Sequence, residues 1–499
     1  MVPTLFIPIS VDAYILPRAG LALAGGGLVA GLGLLAGTRR LGSLRLPLVA
    51  VALAAIASAF TSILPSLSLV GGYGRYESAP MRLAYVGLLA GAARLGERER
   101  TTGAFLAGCA IVAVEAVYEA ATHALPRPDG NLGQPNLLGA LLAMAIPLGL
   151  DLVRTAARPA RRAWLALLAL LAAGLLVSVS RSGWLGALAG TCVFAVFLVP
   201  RRRLLVALGG GGALLAVAVA VVLLTPVRDL NQDTGVARVG VWRDSLAAVA
   251  ARPVLGWGED TLGMVFGRYQ TADWEPGHNF DRAHSMPLDL AASQGAVGLL
   301  ASTWLLVCWW LGMWRHRERP GAAGMAGMAA AYLAWSLLNF DWAPVTALFW
   351  LLLGAGWGDV VAGADPAPVA RAPATRRRPP PRRAAWRVAA AAALALVGLG
   401  LAVPPQVADL QLYAGRPAAA AAWDPLQPHY WAAIGDPAGL RRAAALGDTD
   451  PTTYVALGDA ETRTGDRSAA LAAYRQALER YPYDAEARQR LAAPAGPGV

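Results

Sequence analysis

The chain has 499 residues, of which 56% are hydrophobic and 15% are charged, and long apolar runs recur over its first four fifths. A soluble core of this length does not need so much apolar sequence, so the composition argues against a soluble enzyme and predicts a polytopic membrane protein. The net charge of +11 comes from arginines in the short connections between apolar runs, and we therefore expect no nucleic-acid partner. The three cysteines lie within apolar runs, so neither a disulfide framework nor a zinc site is predicted.

The apolar runs predict an all-α fold. A membrane-spanning helix needs about 20 mostly apolar residues, and by this measure the chain forms a bundle of about twelve transmembrane helices, followed by a small helical repeat domain. The predicted spans are centred near residues 28, 56, 88, 112, 144, 171, 191, 214, 300, 330, 353 and 395.

Arginine-rich connections alternate with connections that contain few arginines. By the positive-inside rule the arginine-rich ones face the cytoplasm, which places both chain ends outside. The "RAPATRRRPPPRR" stretch predicts a flexible linker that lies near anionic headgroups of the membrane lipids. The predicted divisions are a transmembrane catalytic bundle 1–362 that includes an extracytoplasmic loop 226–286, a cytoplasmic linker 363–385, a last transmembrane helix 386–404, and an extracytoplasmic repeat domain 405–499.

Polar residues in a membrane protein are candidates for function because they are costly to bury. Arg181 lies in the short turn "SVSRSGW" between two apolar runs. Arg238 and Arg243 lie in "ARVGVWRDSLAAVAARPVLGWG", which predicts an amphipathic helix over about 236–251 that ends before Pro253. Planar guanidinium groups hold diphosphate oxygens with two hydrogen bonds each, so these arginines are candidate anion ligands.

His284 precedes a predicted helix in "RAHSMPLDLAASQGAVG". Ser285 is a plausible N-cap and Pro287 suits the first helical turn, which places His284 at the positive end of the helix. That position favours a neutral imidazole able to accept a proton and attracts an anion to the free amides.

The same residues also have purely structural interpretations. His284 could anchor a helix end at the interface, Arg181 could be a snorkelling anchor, and Arg238 could belong to a solvated helix face. No Asp-x-Asp motif lies in the loop, so no metal ion is expected.

The C-terminal stretch "YVALGDAETRTGDRSAALAAYRQALERYP" has the spacing of a tetratricopeptide repeat that starts at residue 451. One or two repeats rarely stand alone, so we expect this domain to pack on the membrane body or on the extracytoplasmic loop. A docking site for a protein partner and a stabilising cap are equally compatible with the pattern. The residues at the consensus positions are Leu457, Gly458, Gly465, Ala470, Tyr474, Ala477, Leu478 and Pro482.

Four motifs occur in an order that resembles the O-antigen ligase and polymerase superfamily of bacterial envelope enzymes. They are "GQPNLLGALLAMAIPL", "SRSGWLGALAG", "ARVGVWRDSLAAVAARPVLGWG" and "AHSMPLDLAASQGAVGLL", and the resemblance covers roughly residues 1–360. It implies a type C glycosyltransferase-like bundle that transfers a glycan from an undecaprenyl-diphosphate carrier without a cofactor. The acceptor would be a lipid, a growing glycan or a protein.

The resemblance also implies roles for individual residues. His284 has the spacing of the ligases' catalytic histidine, eleven residues before Gly295. Arg238 and Arg181 correspond to the arginines that hold the diphosphate. His278 lacks that spacing and is, with Arg243 and Asn136, a candidate substrate-binding residue. Ser285 and Gln294 stand where many relatives have Asn and Glu.

The sequence therefore predicts a metal-independent, inverting glycosyltransferase of the cytoplasmic membrane with its active site on the outer face. A lipid-linked glycan transporter is the alternative from another class, because it also needs arginines for a diphosphate. It would carry charged residues along a cavity at the middle of the membrane.

Overall fold

The computed structural model describes residues 2–224, 236–364 and 381–492, and within these ranges the chain is all-helical, without a β-strand. The α-helices are Ile15–Leu35 (α1), Arg45–Phe60 (α2), Pro65–Val70 (α3), Ala79–Leu95 (α4), Arg98–Thr122 (α5), Pro135–Thr155 (α6), Arg158–Val177 (α7), Arg181–Leu198 (α8), Leu204–Leu224 (α9), Val236–Ala251 (α10), Leu262–Val265 (α11), Met286–Arg315 (α12), Ala322–Ser336 (α13), Ala343–Gly356 (α14), Pro381–Tyr413 (α15), Pro417–Trp423 (α16), Pro428–Ala432 (α17), Pro437–Ala445 (α18), Pro451–Arg463 (α19), Arg467–Arg480 (α20) and Ala485–Ala492 (α21).

Each of the twelve predicted spans falls on a helix. In the described part of the chain, nine helices are long and apolar enough to cross a membrane. Helices α4 and α13 have 17 and 15 residues, which is shorter than the roughly 20 residues of an ordinary span. In α9, the stretch Leu204–Leu214 counts as a shorter apolar helix. The prediction of an all-α, multi-pass membrane bundle is therefore confirmed.

Two predicted segments lie largely outside the described residues. These are the linker, of which 365–380 is not described, and the start of the long loop at 225–235. Helix α15, which follows the linker, extends beyond the predicted 386–404 at both ends. Pro404 and Pro405 lie inside this helix and do not end it.

Helices α6 and α14 form the centre of the bundle. The most apolar stretch of each is 78% buried, whereas the corresponding stretches of α7 and α15 are 17% buried. Helix α6 packs against α7, α8 and α13, while α4 packs against α1 and α14. The apolar residues of α7 and α15 that remain exposed are suited to contact lipid.

Helix α12 is broken at Gly295. This glycine has φ +64° inside an otherwise helical segment, a conformation that glycine adopts without the steric cost of a side chain. The break frees the carbonyl groups of Ala292 and Ser293 from the helical pattern. They accept hydrogen bonds from the amides of Trp257 (2.8 Å) and Gly258 (3.0 Å).

The segment 253–258, which follows α10, fills this break with its backbone. The amides of Ala296 and Val297 donate to the carbonyls of Pro253 (2.7 Å) and Val254 (3.2 Å). Gly256 has φ +68°, and a Cβ there would collide with Ser293. The two glycine motifs of the sequence, "LGWG" and "SQGAVG", therefore form one backbone junction that joins α10 to α12.

Helices α19 and α20 form the antiparallel pair expected of a repeat. The absence of a side chain at Gly458 admits the Tyr474 ring between them. The pair contacts the segment that precedes α12, where the Arg480 guanidinium donates to the Met264 carbonyl (3.3 Å). The repeat thus packs on the long loop.

Substitution of Gly295 tests the junction. Gly295→Ala forces a left-handed φ on a residue with a Cβ and drives that Cβ into the Val254 backbone, so we expect a loss of at least about 1–3 kcal/mol in stability. Thermal unfolding of the purified protein in detergent measures the loss. Gly103→Ala is the matched control, because a Cβ at this glycine of α5 meets no atom within 4 Å; equal effects of the two substitutions would contradict the proposed constraint.

Candidate active site

His284 lies in the loop immediately before α12. The helix begins at Met286 after Ser285, as predicted, although the Ser285 side chain makes no capping hydrogen bond. The His284 backbone has φ +51°, a left-handed conformation that few non-glycine residues adopt. Its ring packs edge-on against Phe340 (centroids 5.3 Å apart) and Phe280 (6.2 Å). The imidazole is thus held in an aromatic setting at the end of the bundle.

This setting keeps His284 neutral. The pKa of the imidazole is lowered to about 3, chiefly by burial and secondly by the nearby Arg238 cation. Asp281 opposes the shift. Burial is therefore the main cause, where the sequence had suggested the helix dipole, and at neutral pH the ring can accept a proton.

Arg238 reaches the connection between α13 and α14. It lies on α10, and its Nη1 donates to the Leu338 carbonyl (2.7 Å). Phe340, two residues later in the same connection, is the ring that contacts His284. The structure therefore brings Arg238 and His284 together around residues 338–340.

Asn136 and the residues around Arg181 form a second cluster. Arg181 is the first residue of α8, and the preceding Ser180 donates its hydroxyl to Asn136 Oδ1 (3.1 Å) at the start of α6. Trp335, near the end of α13, donates to the Asn136 carbonyl (3.0 Å). Residues 335–340 thus connect the Arg181 cluster to the His284 cluster.

Helices α4, α6, α8, α12 and α14 begin near one another at this end of the bundle. The contacts above place the N-termini of α6, α8 and α12 around residues 335–340, and α4 and α14 begin there too, because Arg82 of α4 pairs with Asp341 just before α14. Helix N-termini carry partial positive charge and free amides. The arrangement favours an anionic ligand.

The chain is similar to known protein families over two parts of its length. Residues 166–303 match the family model described as O-antigen ligase. The resemblance to this family is confirmed. A tetratricopeptide-repeat model matches residues 451–493, as the consensus positions predicted. No curated protein matches the chain significantly.

The match supports an O-antigen ligase-like membrane glycosyltransferase family for this part of the chain. The matched stretch is shorter than the resemblance drawn from the four motifs, which covered roughly residues 1–360. It runs from within α7 to the first part of α12, and so contains Arg181, Arg238 and His284. Asn136 lies outside it.

Two further predicted substrate-binding residues of the ligase-like domain differ in placement: Arg243 lies apart from His284, whereas His278 shares the Phe280 ring with it. Arg243 follows Arg238 by five residues on α10 and therefore lies on a different face of the helix. Its side chain is 64% exposed, near Asp244, and its guanidinium lies over Trp274. His278 packs edge-on against Phe280 (4.9 Å), on a cavity at the repeat. Their roles remain predictions.

Sequence reasoning missed Arg75. Its Nε and Nη2 pair with the two oxygens of Asp281 (2.6 and 3.1 Å), and its guanidinium lies over Phe340 and Trp342 (4.9 Å each). The only signal was one arginine in "GGYGRYES", a connection that the arginine alternation had placed on the same side as the long loop. Arg75 thus adds a second positive charge, after Arg238, beside His284.

Arg127 was also missed. Its Nη2 lies 3.5 Å from Asn136 Oδ1 and donates to the Val179 carbonyl (3.3 Å). It therefore belongs to the Arg181 cluster. In the sequence it sits in "HALPRPDGN", where nothing distinguishes it from a surface arginine.

A buried ion-pair network fixes the 338–342 connection. Arg82 pairs with Asp341 and with Glu259 (3.5 Å), and the Tyr332 hydroxyl donates to Asp341 (2.7 Å). Gln294, directly before the break in α12, donates to Glu259.

Among the described residues, no three His, Cys, Asp or Glu side chains group as metal ligands.

The low pKa of His284 predicts a pH-dependent stability. The unfolded chain binds a proton on this residue as the pH falls through about 6.5, whereas the folded protein keeps the ring neutral to about 3. Because the unfolded state binds more protons in this window, acidification destabilises the wild type. Thermal unfolding between pH 7.5 and 5 should show a smaller loss for His284→Gln than for wild type. Parallel curves would show that the ring titrates normally.

Proposed function

We propose that the protein is an O-antigen ligase-like enzyme that moves a glycan from an undecaprenyl-diphosphate carrier to an acceptor hydroxyl. The observation that carries the proposal is the pairing of a neutral His284 with Arg238 at an end of the bundle where several helices begin. An imidazole that accepts a proton and cations that attract a diphosphate are the two groups this transfer needs. Both lie within the stretch that matches the ligase family.

In the proposed reaction the acceptor oxygen attacks the anomeric carbon and the bond from that carbon to the diphosphate oxygen breaks. His284 takes the proton of the acceptor hydroxyl, and the electron pair leaves with the lipid diphosphate. Arg238 and Arg181 stabilise the charge on this leaving group. A single displacement of this kind inverts the anomeric configuration.

The donor itself would tune the base. A pKa of about 3 makes the imidazole neutral but weakly basic. A bound diphosphate brings negative charge close to the ring and favours the imidazolium, which raises that pKa. His284 would therefore become an effective base after the donor binds.

The buried charges of the bundle support a transferase over a transporter. Arg82, Gln294 and Asp341 line a cavity of about 40 Å³, which is room for water but not for a lipid-linked glycan. These charges pair with one another near one end of the bundle. The acceptor is lipid A core, a growing glycan or a protein, and transfer assays with each candidate acceptor distinguish these classes.

Variants of the two clusters test the chemistry. We expect His284→Ala to lower transfer by roughly 10²–10⁴-fold, the usual contribution of a general base, and His278→Ala to be milder. Arg238→Ala and Arg181→Ala should leave almost no activity. Arg238→Lys should retain weak activity, because lysine keeps the positive charge but lacks the planar guanidinium that forms two hydrogen bonds. Purified protein with a polyprenyl-diphosphate glycan, candidate acceptors and a chelator provides the measurement.

Arg100→Ala is the matched control for these variants. The Arg100 side chain is 84% exposed and forms a surface ion pair with Glu97 (3.1 Å). The activity of Arg100→Ala should therefore equal that of wild type. Native rates for His284→Ala, transfer that survives the loss of both cluster arginines, or transfer abolished by the chelator would refute the mechanism.

The proposed location is the cytoplasmic membrane, with the active site on its outer face, because the arginine alternation places the arginine-rich connections inside. With Cys109, Cys192 and Cys308 replaced, a membrane-impermeant thiol reagent should label Ala456→Cys in the repeat but not Arg203→Cys in intact cells. Both positions are exposed, and both should react after permeabilisation. Labelling of residue 203 but not of residue 456 in intact cells would show that the orientation is the reverse of the predicted one.

A further inference from the structure

A cavity of about 610 Å³ lies between the long loop and the repeat. Residues 273–281 form one wall, and residues 449–452 and 481–485 form the other. Its volume is within the range of roughly 300–1,000 Å³ that is usual for ligand pockets. No role follows for it from the transfer chemistry at His284 or from the repeat consensus.

Hydrogen bonds hold the two walls in a fixed relation. The Tyr481 hydroxyl accepts from the Gly277 amide (2.7 Å) and donates to Asp273 (2.9 Å). Asn279 Nδ2 donates to the Thr449 carbonyl (2.7 Å). The cavity is therefore formed before any ligand binds, so ligand binding does not carry the entropic cost of ordering its walls.

The lining combines aromatic rings with carboxylates. Tyr481, Tyr483 and His278 provide rings, and four aspartates, Asp273, Asp281, Asp450 and Asp484, provide oxygens that accept hydrogen bonds. Aromatic residues with a polar edge pack against amphipathic ligands, and carboxylates accept bonds from hydroxyl groups. A sugar ring presents both an apolar face and a rim of hydroxyls.

The charge of the lining selects among sugars. Arg75 is the single arginine among the lining residues, and it is already paired with Asp281 through two bonds. The remaining carboxylates leave the cavity acidic. Acidic sugars are repelled, whereas neutral sugars and sugars that carry an amino group are accepted.

The cavity lies beside the surroundings of His284. Arg75 lines it and also lies over Phe340, the ring that contacts His284. A glycan whose reacting end lies at His284 would thus have the cavity as its neighbouring site.

We propose that this cavity binds a neutral or amino-bearing saccharide segment of a substrate, with the repeat as one wall of the binding site. The inference rests on the proposed function, because it takes the segment to belong to the glycan that reacts at His284. That segment belongs either to the donor or to the acceptor, which have the same chemistry here.

A binding measurement tests the site independently of catalysis. Full-length protein in lipid nanodiscs is titrated with three tetrasaccharide probes, namely chitotetraose bearing N-acetyl groups, its deacetylated amine form and tetragalacturonate, and binding is followed by saturation-transfer NMR. We expect the first two to bind at least tenfold more tightly than the acidic probe. Equal binding of tetragalacturonate, or no binding of either of the others, overturns the proposal.

Filling the cavity provides the matched variants. Ala485 is exposed and lines the cavity, so Ala485→Trp should weaken the two favoured probes at least tenfold, whereas Ala456→Trp, on an exposed position of α19 outside the cavity, should not. Tyr483→Ala should weaken binding as well, with the exposed Tyr413→Ala as its control. Equal affinities in variants and controls overturn the proposal.

Kinetics identify the source of the segment. In the transfer assay, Ala485→Trp should raise the KM of one substrate with little change in kcat. A raised KM for the donor assigns the segment to the carrier-linked glycan, and one for the acceptor assigns it to the acceptor. An unchanged KM for both overturns the site. If His284→Ala binds the probes normally while wild type transfers nothing, the saccharide site stands and the proposed function fails.

Discussion

The geometry of the candidate active site depends on the break in α12 at Gly295. Backbone groups freed by the break pair with those of 253–258, so α10 and α12 are joined by four main-chain hydrogen bonds. Buried backbone groups without a hydrogen-bond partner are costly. Once α12 is broken, its freed amides and carbonyls must therefore pair with another segment, and 253–258 supplies the partners. The junction sets the helix that carries Arg238 against the helix that His284 precedes.

Electrostatics complete what the junction positions. Burial and the Arg238 and Arg75 cations lower the pKa of His284, while Asp281, which is paired with Arg75, opposes them. The imidazole is consequently kept uncharged in a region that attracts anions. A base and an anion site thereby coexist without an ion pair between them.

The sequence was sufficient to predict the helices and the main residues of the site. Apolar run length predicted the twelve helices, Pro253 the end of α10 and Pro287 the start of α12, because these signals are local. The break at Gly295 was not predicted, because its partner segment lies about forty residues earlier and only folding reveals the pairing. Arg75 and Arg127 were missed for the same reason: their importance comes from Asp281, Phe340 and Asn136, which are distant in the chain.

The buried position of Arg82 has a consequence for how the protein is made. An arginine at the centre of a membrane helix costs about 2.5–3.5 kcal/mol at insertion, and one near a helix end costs less. Arg82 is the fourth residue of α4, and its partner Asp341 is 259 residues further along the chain. At a synthesis rate of about 5–20 residues per second, that carboxylate emerges roughly 10–50 s later. Glu77, five residues earlier and 3.9 Å from the Arg82 guanidinium in the finished fold, is available at once. It can neutralise α4 while the rest of the bundle is still on the ribosome, and it would then share the arginine with the partners that arrive last.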